Sequence, residues 1–432
     1  MSEQRPRQTL GPLRRGLARA LDVRPGERDL VFRAALVYAL VLTANSMLRP
    51  LRDALGIAGG IGKLPWLFTA TFIGVLIAAP IVGWASARLG RTRLVQVVYG
   101  ACALVLVGLW CGLQFGARLW TSYAFFVWIS VFNLVAVSLL WSVLADRMRT
   151  TDAHRLFGLI AFGGSVGALV GPSIAALVAT LLVADHLLLI AAAMLLAALI
   201  AGRRLWQSPP TDASSPADLP ALGGSAWEGF RQVLKNPMLA GICLYLLLMS
   251  LTSTVVYFEQ ETLIQRGFAD DDSRTAVLAG IDIAVNALSL GVQALLTGRL
   301  LRRFGLAVGL AGVPLLTAVG LGVLGIAPAL AILLGFQVLR RASHYALAKP
   351  AREVLFTVVP RSARYKAKNL IDTVVYRGGD ALGGWIFAGL TGLGLSLGVI
   401  AWLAAPLSLL WAALGWRLSK LARPVSVEDG RG

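Results

Sequence analysis

Long apolar segments alternate with short polar ones along the whole chain, and most of the apolar segments are as long as a membrane-spanning helix. About 20 consecutive apolar residues cross a bilayer as a helix. Because lipid offers the backbone no hydrogen-bond partners, such segments are stable there only as helices. The pattern therefore predicts an all-α integral membrane protein with twelve transmembrane helices, which centre on residues 31–48, 64–86, 94–115, 120–144, 156–183, 186–205, 238–258, 275–298, 306–326, 328–348, 370–393 and 395–416.

Lysine and arginine are concentrated in every second connection between these segments. Seven of them precede Leu30, and further clusters lie at 88–93, 147–155, 203–235, 299–303, 361–368 and 417–423. Positively charged loops stay on the cytoplasmic side of a membrane. The distribution predicts an even number of spans and places both termini in the cytoplasm, for a multi-pass protein of the inner membrane.

The two halves of the chain look like repeats of one another. Gly83 and Gly298 are 215 residues apart, and the pair Gly163-Gly164 is separated from Gly378-Gly379 by the same interval. Two six-helix halves around a central linker resemble the major facilitator architecture, in which the solute binds at midplane between the halves. We therefore expect a basic tail (1–29), a first half (30–206), a cytoplasmic linker (207–236), a second half (237–417) and a C-terminal tail (418–432).

Composition and motifs exclude several classes of function. Charged residues make up 14% of the chain and hydrophobic residues 57%, whereas about a quarter of an ordinary soluble domain is charged. The net charge of +18 is spread between apolar segments rather than gathered in an aromatic-studded basic domain, so nucleic acid is not an expected partner. Three cysteines and three histidines show no metal-ligand spacing, and no catalytic or nucleotide-hydrolysis motif is present. We expect no enzyme activity, no cofactor and no metal, and a monomer in the lipid bilayer.

Small residues recur at helical spacing in two of the predicted helices. Gly163, Gly167 and Gly171 are four residues apart, as are Gly379 and Gly383. Small residues at this spacing allow two helices to approach closely in lipid. The pattern predicts close packing, and a role in rocking motions is the alternative.

A group of charges lies at the end of the first predicted helix, around Pro50. If the helix continues past this proline, Arg49 and Asp53 share a face. Two arginines, Arg49 and Arg52, would then form a positively charged rim at the entrance to a binding site for an anionic solute, and Asp53 would orient one of them. The alternative is a short outer loop whose arginines extend towards the membrane surface.

Charged residues interrupt the tenth predicted helix near the middle of the bilayer. Arg340 lies about 18 Å along this helix, directly before Arg341. Two adjacent arginines cannot both face lipid, so at least one should face a wet cavity or a carboxylate. Asp282 and Asp380 are the expected partners, as structural counter-charges or as proton relays.

The connection before the eleventh helix is also basic. It contains Lys366 and Lys368, preceded by Arg352 and Glu353. Lys366 is a candidate anion contact that would attract phosphate groups through its field, and Glu353 is a candidate charge partner. The alternative is the ordinary excess of positive charge in a cytoplasmic loop.

These same segments resemble the ATP/ADP translocases of plastids and obligate intracellular bacteria. Residues 48–55 read Leu-Arg-Pro-Leu-Arg-Asp-Ala-Leu and are similar to the end of that family's first helix, with Arg52 in place of a lysine. Residues 138–158, 349–355 and 366–379 are similar to further family segments, including Lys-Ala-Lys-Asn-Leu-Ile-Asp and Arg-Gly-Gly. The stretches 127–133 and 251–256, which correspond to acidic positions of the family, hold no carboxylate. The resemblance implies a bacterial ATP:ADP antiporter.

The residues and the resemblance together predict a secondary transporter that moves a small anionic solute by alternating access. The expected anion contacts are Arg49, Arg52, Arg340, Arg341 and Lys366, and the expected charge partners or coupling residues are Asp53, Asp282, Glu353 and Asp380. Two alternatives remain open: a proton-coupled carrier or exporter of another organic solute, and a membrane scaffold or sensor without transport.

Overall fold

The computed structural model describes residues 27–89, 91–146, 150–207, 231, 233, 235–357, 359 and 370–422. The described residues fold as helices and their connections, without a strand. The twelve principal helices, which we label α1 to α12, are Arg28–Gly56, Leu64–Leu89, Arg91–Phe115, Arg118–Asp146, Thr150–Leu181, Leu187–Ala201, Pro237–Gly267, Asp271–Val292, Gly312–Ile326, Leu330–Ser343, Tyr376–Gly392 and Leu397–Leu421.

Each of the twelve apolar segments overlaps one of these helices, so the all-α membrane prediction is confirmed. Ten described helices are long and apolar enough to span a membrane. The other two, α10 and α11, carry charged residues and adjoin π-helical turns at His344–Ala348 and Ile371–Val375. A third π-helical turn, Gln293–Thr297, connects α8 to a short helix, Gly298–Phe304. Residues 1–26 and 423–432 of the two tails, and residues 208–230 of the predicted linker, lie outside the described residues, and the domain boundaries stay a prediction.

Two helices extend well beyond their apolar segments. The first, α1, continues through Pro50 to Gly56, and α7 continues nine residues past the predicted end at 258 to Gly267. Both extensions carry charged side chains into the bundle. The longer helices therefore place residues that hydropathy alone assigns to loops against other helices.

Glycines bring α5 into direct contact with the backbone of α1. A methyl group at Gly163, Gly167 or Gly171 would lie 2.4–2.7 Å from the carbonyl oxygen of Ala35, Ala39 or Thr43, respectively. In the second half, α11 packs on α7 in the same way, with Gly379 against Ser250 and Gly383 against Thr254. The predicted close packing is confirmed, and it joins the first and fifth helix of each set of six.

The outer surface of the bundle is apolar. Large exposed side chains such as Phe32, Leu104 and Leu403 cover faces that a soluble protein would bury, as expected for a surface in contact with lipid. At the end of the bundle where α1 begins, two cations lie over indole rings. Arg88 covers Trp84 at 4.4 Å and Lys420 covers Trp416 at 3.5 Å, an arrangement typical of a membrane–water interface.

We call the opposite end of the bundle the distal end; it holds the connections 57–63, 182–186, 268–270, 327–329 and 393–396. Here Arg118 contacts Asp185 at 2.6 Å and Asp271 at 3.1 Å, and Asp272 accepts a 2.8 Å hydrogen bond from the Ala184 backbone. Ser273 donates backbone and side-chain hydrogen bonds that lower the pKa of Asp270, which caps α8. These contacts close the seam between α1–α6 and α7–α12 at the distal end.

The glycine packing gives a direct test of the fold. Gly167→Ala forces a methyl group onto the Ala39 carbonyl, and overpacking of this kind costs about 1–3 kcal/mol. We expect the purified protein to unfold at a lower temperature or to fail to accumulate. Gly158→Ala is the matched control on the same helix, since open space surrounds that position. Equal melting temperatures for the two variants would contradict the packing described here.

Candidate functional site

A cavity of about 360 Å³ lies between the two sets of helices. Seven helices line it: α1, α2, α4, α7, α8, α10 and α11. The described residues in its wall are Arg49, Pro50, Arg52, Asp53, Phe68, Thr71, Phe126, Ser130, Asn133, Met249, Ser253, Thr254, Tyr257, Gln260, Leu278, Asp282, Gln337, Arg340, Arg341, His344, Tyr345, Tyr376, Arg377 and Asp380. We refer to it as the central cavity, and its volume lies in the range of small-molecule sites, about 300–1,000 Å³.

The described wall of the central cavity contains more arginines than carboxylates. Five arginines face three aspartates, which leaves an excess of two positive charges when His344 is neutral. Buried charges in a membrane protein are costly unless they are paired. The wall is therefore suited to an anionic guest.

The continuation of α1 past Pro50 brings its charges into this wall. Arg52 donates hydrogen bonds of 2.8 and 2.5 Å to one oxygen of Asp53, which also accepts a 2.9 Å bond from the Tyr257 hydroxyl of α7. The guanidinium of Arg52 lies 5.1 Å from the ring centre of Phe126. Asp53 therefore contacts Arg52 directly and also joins α1 to α7.

Asp282 of α8 interacts with two arginines. It accepts a 2.6 Å bond from Arg341, and it is the strongest opposite charge acting on Arg49, which also interacts with Tyr345. Arg49 belongs to α1, whereas Arg341 belongs to α10. One carboxylate therefore balances cations from both sides of the seam.

Arg340 is a cavity arginine whose described hydrogen-bond partners are neutral side chains. It is 8% exposed and donates bonds of 3.0 and 2.7 Å to Gln337 and of 3.0 Å to Ser253. Among the described residues, no carboxylate lies within 4 Å of its guanidinium. The charge of Arg340 is thus available to a bound anion.

A π-helical turn follows α10 and shapes the cavity wall beside Arg341. It spans His344–Ala348, and both His344 and Tyr345 line the cavity. The turn leaves backbone carbonyls exposed, and side chains of the α8 π-helical turn bind them: Gln293 bonds to the Tyr345 carbonyl at 3.3 Å and Thr297 to that of Ala346 at 2.9 Å. Such turns are frequent at functional sites.

The comparisons with known proteins agree with this architecture. The family profile described as Major Facilitator Superfamily matches residues 31–340, which is more than half of the chain. The chain belongs to the Major Facilitator Superfamily. The family match and the fold together make it a multi-pass membrane transporter, which confirms the transporter prediction at this level.

Individual relatives of this major facilitator protein are distant. The "ADP,ATP carrier protein 1" of Chlamydia trachomatis serovar D is 24% identical over 347 residues, which cover 70% of this chain and 66% of the carrier. The chain thus spans about two thirds of the length of that curated relative.

Solved structures share the fold at low sequence identity. The crystal structure of the D-xylose-proton symporter is 18% identical, with a TM-score of 0.64, and the match covers 92% of this chain and 99% of that one. The nucleoside transporter NupG is 15% identical, with a TM-score of 0.62 and coverage of 91% and 98%. A bacterial homolog of the human lysosomal transporter Spinster is 15% identical, with a TM-score of 0.61 and coverage of 94% and 100%.

Most of the residues singled out in the sequence meet in the central cavity of this major facilitator protein. Four of the five expected anion contacts, Arg49, Arg52, Arg340 and Arg341, line its wall. Three of the expected charge partners, Asp53, Asp282 and Asp380, line it as well. Their roles stay predictions, but the fold brings these seven residues together from four helices. Lys366 lies outside the described residues.

Glu353 and Asp380 differ in their surroundings. Glu353 is half-exposed beside Arg352 at 3.4 Å and is not part of the described cavity wall. Asp380 accepts a 2.5 Å bond from Ser250 and lies 3.6 Å from Arg377. Arg377 is a cavity arginine that the sequence reasoning did not select, although its position beside Asp380 was the available signal.

The sequence reasoning also missed two carboxylates on α7. The stretch 251–256 lacks acidic residues, as noted, but the helix continues and carries Glu259 and Glu261, both buried. They were missed because the predicted helix ends at residue 258. A helix that ends at Gly267 instead places them inside the bundle.

The shared role of Asp282 makes a prediction about stability. Asp282→Asn leaves Arg341 and Arg49 without their carboxylate, and breaking a buried ion pair costs about 3–5 kcal/mol. Arg341→Met costs less, because Asp282 still faces Arg49. We expect the melting temperature in detergent to fall further for Asp282→Asn than for Arg341→Met. The opposite order would show that Arg49 does not use Asp282.

Proposed function

We propose that this protein carries a small organic anion of the nucleotide type, in exchange for a similar anion, by alternating access of the central cavity. The observation that carries the proposal is Arg340, a buried cation bonded to Gln337 and Ser253 and to no carboxylate among the described residues. A phosphate or carboxylate group of the solute would supply the missing counter-charge. Charge-assisted bonds of this kind contribute about 1.5–3 kcal/mol each.

The rest of the wall offers what a nucleotide needs beyond its phosphates. Aromatic rings from four helices, among them Phe68, Tyr257 and Tyr376, face the cavity and provide flat apolar surfaces for a base. Amide groups of Asn133, Gln260 and others provide donors and acceptors for polar ring edges. The identity with the carrier of Chlamydia trachomatis, whose printed name is "ADP,ATP carrier protein 1", supports nucleotide cargo in particular.

Membrane placement follows the same proposal. We place the protein in the inner membrane of the cell with both termini in the cytoplasm, because the positive charges cluster in alternate connections. The distal end then faces outwards. The closed seam at the distal end is the arrangement of a carrier whose cavity opens towards the cytoplasm.

Thermal unfolding with and without nucleotide tests the role of Arg340. A bound solute raises the melting temperature by mass action, and we expect ATP or ADP to stabilise the wild-type protein. Arg340→Met should weaken binding by roughly ten- to a hundredfold, so this stabilisation is lost. Without solute the variant should unfold at a temperature close to that of wild type, since the removal of a buried charge without a counter-charge offsets the Gln337 oxygen that loses its donors. A purely structural arginine would instead lower the melting temperature of the empty protein.

Uptake into proteoliposomes tests the exchange itself. Labelled ATP should enter wild-type vesicles when unlabelled ADP is loaded inside, and Arg340→Met should reduce the rate at subsaturating ATP by the same ten- to hundredfold. Arg303→Ala is the matched control, because Arg303 is exposed and distant from the cavity wall. If neither ATP nor ADP is taken up under any loading, the nucleotide assignment is wrong.

A further inference from the structure

Two carboxylates in the distal part of α7 are buried without full hydrogen bonding. Glu259 is 2% exposed and Glu261 is fully buried. One oxygen of each, Oε1 of Glu259 and Oε2 of Glu261, has no hydrogen-bond partner. A charged carboxylate in such a position is costly, and the neutral acid avoids most of that cost.

The two glutamates have different surroundings, because they point about 200° apart on the helix. Glu261 is influenced by Asp53 and Arg52 of α1 and by Arg341 of α10, and Tyr257 of its own helix lies in the same group. Burial alone acts on Glu259. Only Glu261 is therefore in electrostatic contact with the charges of the central cavity.

A chain of amide hydrogen bonds connects Glu261 to Arg340. Arg340 donates to Gln337 at 2.7 Å, the Gln337 amide donates to Gln260 at 2.8 Å, and the Gln260 amide donates to Oε1 of Glu261 at 3.1 Å. The middle bond, between Gln337 and Gln260, crosses from α10 to α7. A change in the charge around Arg340 can thus be transmitted to Glu261 through three hydrogen bonds.

Glu261 also lies between two cavities. Tyr257 and Gln260 line the central cavity, whereas Thr262, Gln265 and Arg266 line a second cavity of about 720 Å³ at the distal end. Glu261 lines neither. Beside it, the Gln265 amide bonds to the Ile57 carbonyl at 2.9 Å, so α1 and α7 meet there and separate the two cavities.

We propose that Glu261 is a proton-binding site that couples the closure of the seam between α1 and α7 to proton movement. The neutral acid favours the closed seam, in which it is buried. When the seam opens, Glu261 exchanges its proton with water on the distal side; in the closed conformation it exchanges with water of the central cavity, which the adjacent Gln260 lines. This proposal rests on alternating access by the transporter and does not depend on which anion is carried.

A conformational measurement without solute tests the proposal first. Spin labels would be attached through Ala58→Cys and Arg266→Cys, both exposed positions beside the seam, after replacement of the three native cysteines. We expect the labels to be close at acidic pH and to separate at alkaline pH in the full-length protein. Glu261→Gln, which mimics the neutral acid, should stay closed at every pH.

Glu259→Gln is the matched control for this experiment, because Glu259 is an equally buried acid on the same helix. It should follow the pH dependence of the wild type. The proposal is overturned if Glu261→Gln shows the wild-type pH dependence, or if the wild-type distance does not change with pH.

Transport gives an independent readout, with labelled ATP as the probe. If one proton enters with each ATP and none leaves with the counter-anion, a pH gradient of one unit, acidic on the distal side, can raise the accumulation of ATP by up to about tenfold. We expect this effect in wild type and in Glu259→Gln, and its loss in Glu261→Gln while ATP counterflow continues. If no form transports ATP, the proposed solute is wrong, and the spin-label result alone decides the role of Glu261.

A third measurement avoids any substitution of Glu261, in case that variant does not fold. A hydrophobic carbodiimide reacts with protonated carboxyl groups, and mass spectrometry locates the modified residue. Modification of Glu261 in the wild-type protein should fall as pH rises and the seam opens. Modification that does not change with pH would contradict a proton that Glu261 releases.

Discussion

The structure depends on how five arginines are accommodated in the middle of a membrane protein. A charged side chain at the bilayer centre costs about 2.5–3.5 kcal/mol even by the lower measures, so none of these side chains can face lipid cheaply. The fold places all five in the wall of a cavity built from seven helices, where three aspartates bond to Arg52, Arg341 and Arg377. The passage of α1 through Pro50 and the π-helical turn after α10 both place side chains in this cavity. Because glycines let α5 approach α1 and α11 approach α7, the helices that carry the charges are held in place by backbone contact.

The same pairing makes the site part of the moving seam. Asp53 of α1 is bonded to Tyr257 of α7, and Asp282 of α8 acts on Arg49 of α1. Any motion that separates the two sets of helices must therefore exchange these partners for water, solute or one another. A solute that contacts the arginines changes the energy of that exchange directly, so no relay over a distance is needed between binding and conformational change. The ion pairs of Arg118 with Asp185 and Asp271 at the distal end lie near the surface and contribute less free energy than the buried pairs.

Hydropathy and charge placement predicted the helices and their number well, because lipid restricts a chain to few solutions. They also selected most of the charged residues of the cavity wall: an arginine within an apolar run, such as Arg340, needs a polar surrounding whatever the fold. They failed where helix length departs from apolar length. Glu259 and Glu261 appeared to lie beyond α7, since hydropathy falls at 258 and gives no sign that the helix continues. Glu353 lies half-exposed 3.4 Å from Arg352, and its role as a charge partner stays a prediction. The π-helical turn after α10 was not predicted either, since no sequence pattern indicates it.

Two buried ionisable groups that are incompletely paired in the empty protein explain why the site would respond to its solute. Arg340 has no carboxylate among the described residues, and Glu261 has an oxygen without a partner; the two are joined by Gln337 and Gln260. A fully paired network would bind nothing strongly, since a guest would have to displace existing partners. An anion at Arg340 supplies what the protein lacks there, and it adds negative charge at one end of a chain that ends in an acid. Bound anion and bound proton should therefore favour each other, and by linkage each raises the affinity for the other by the same factor.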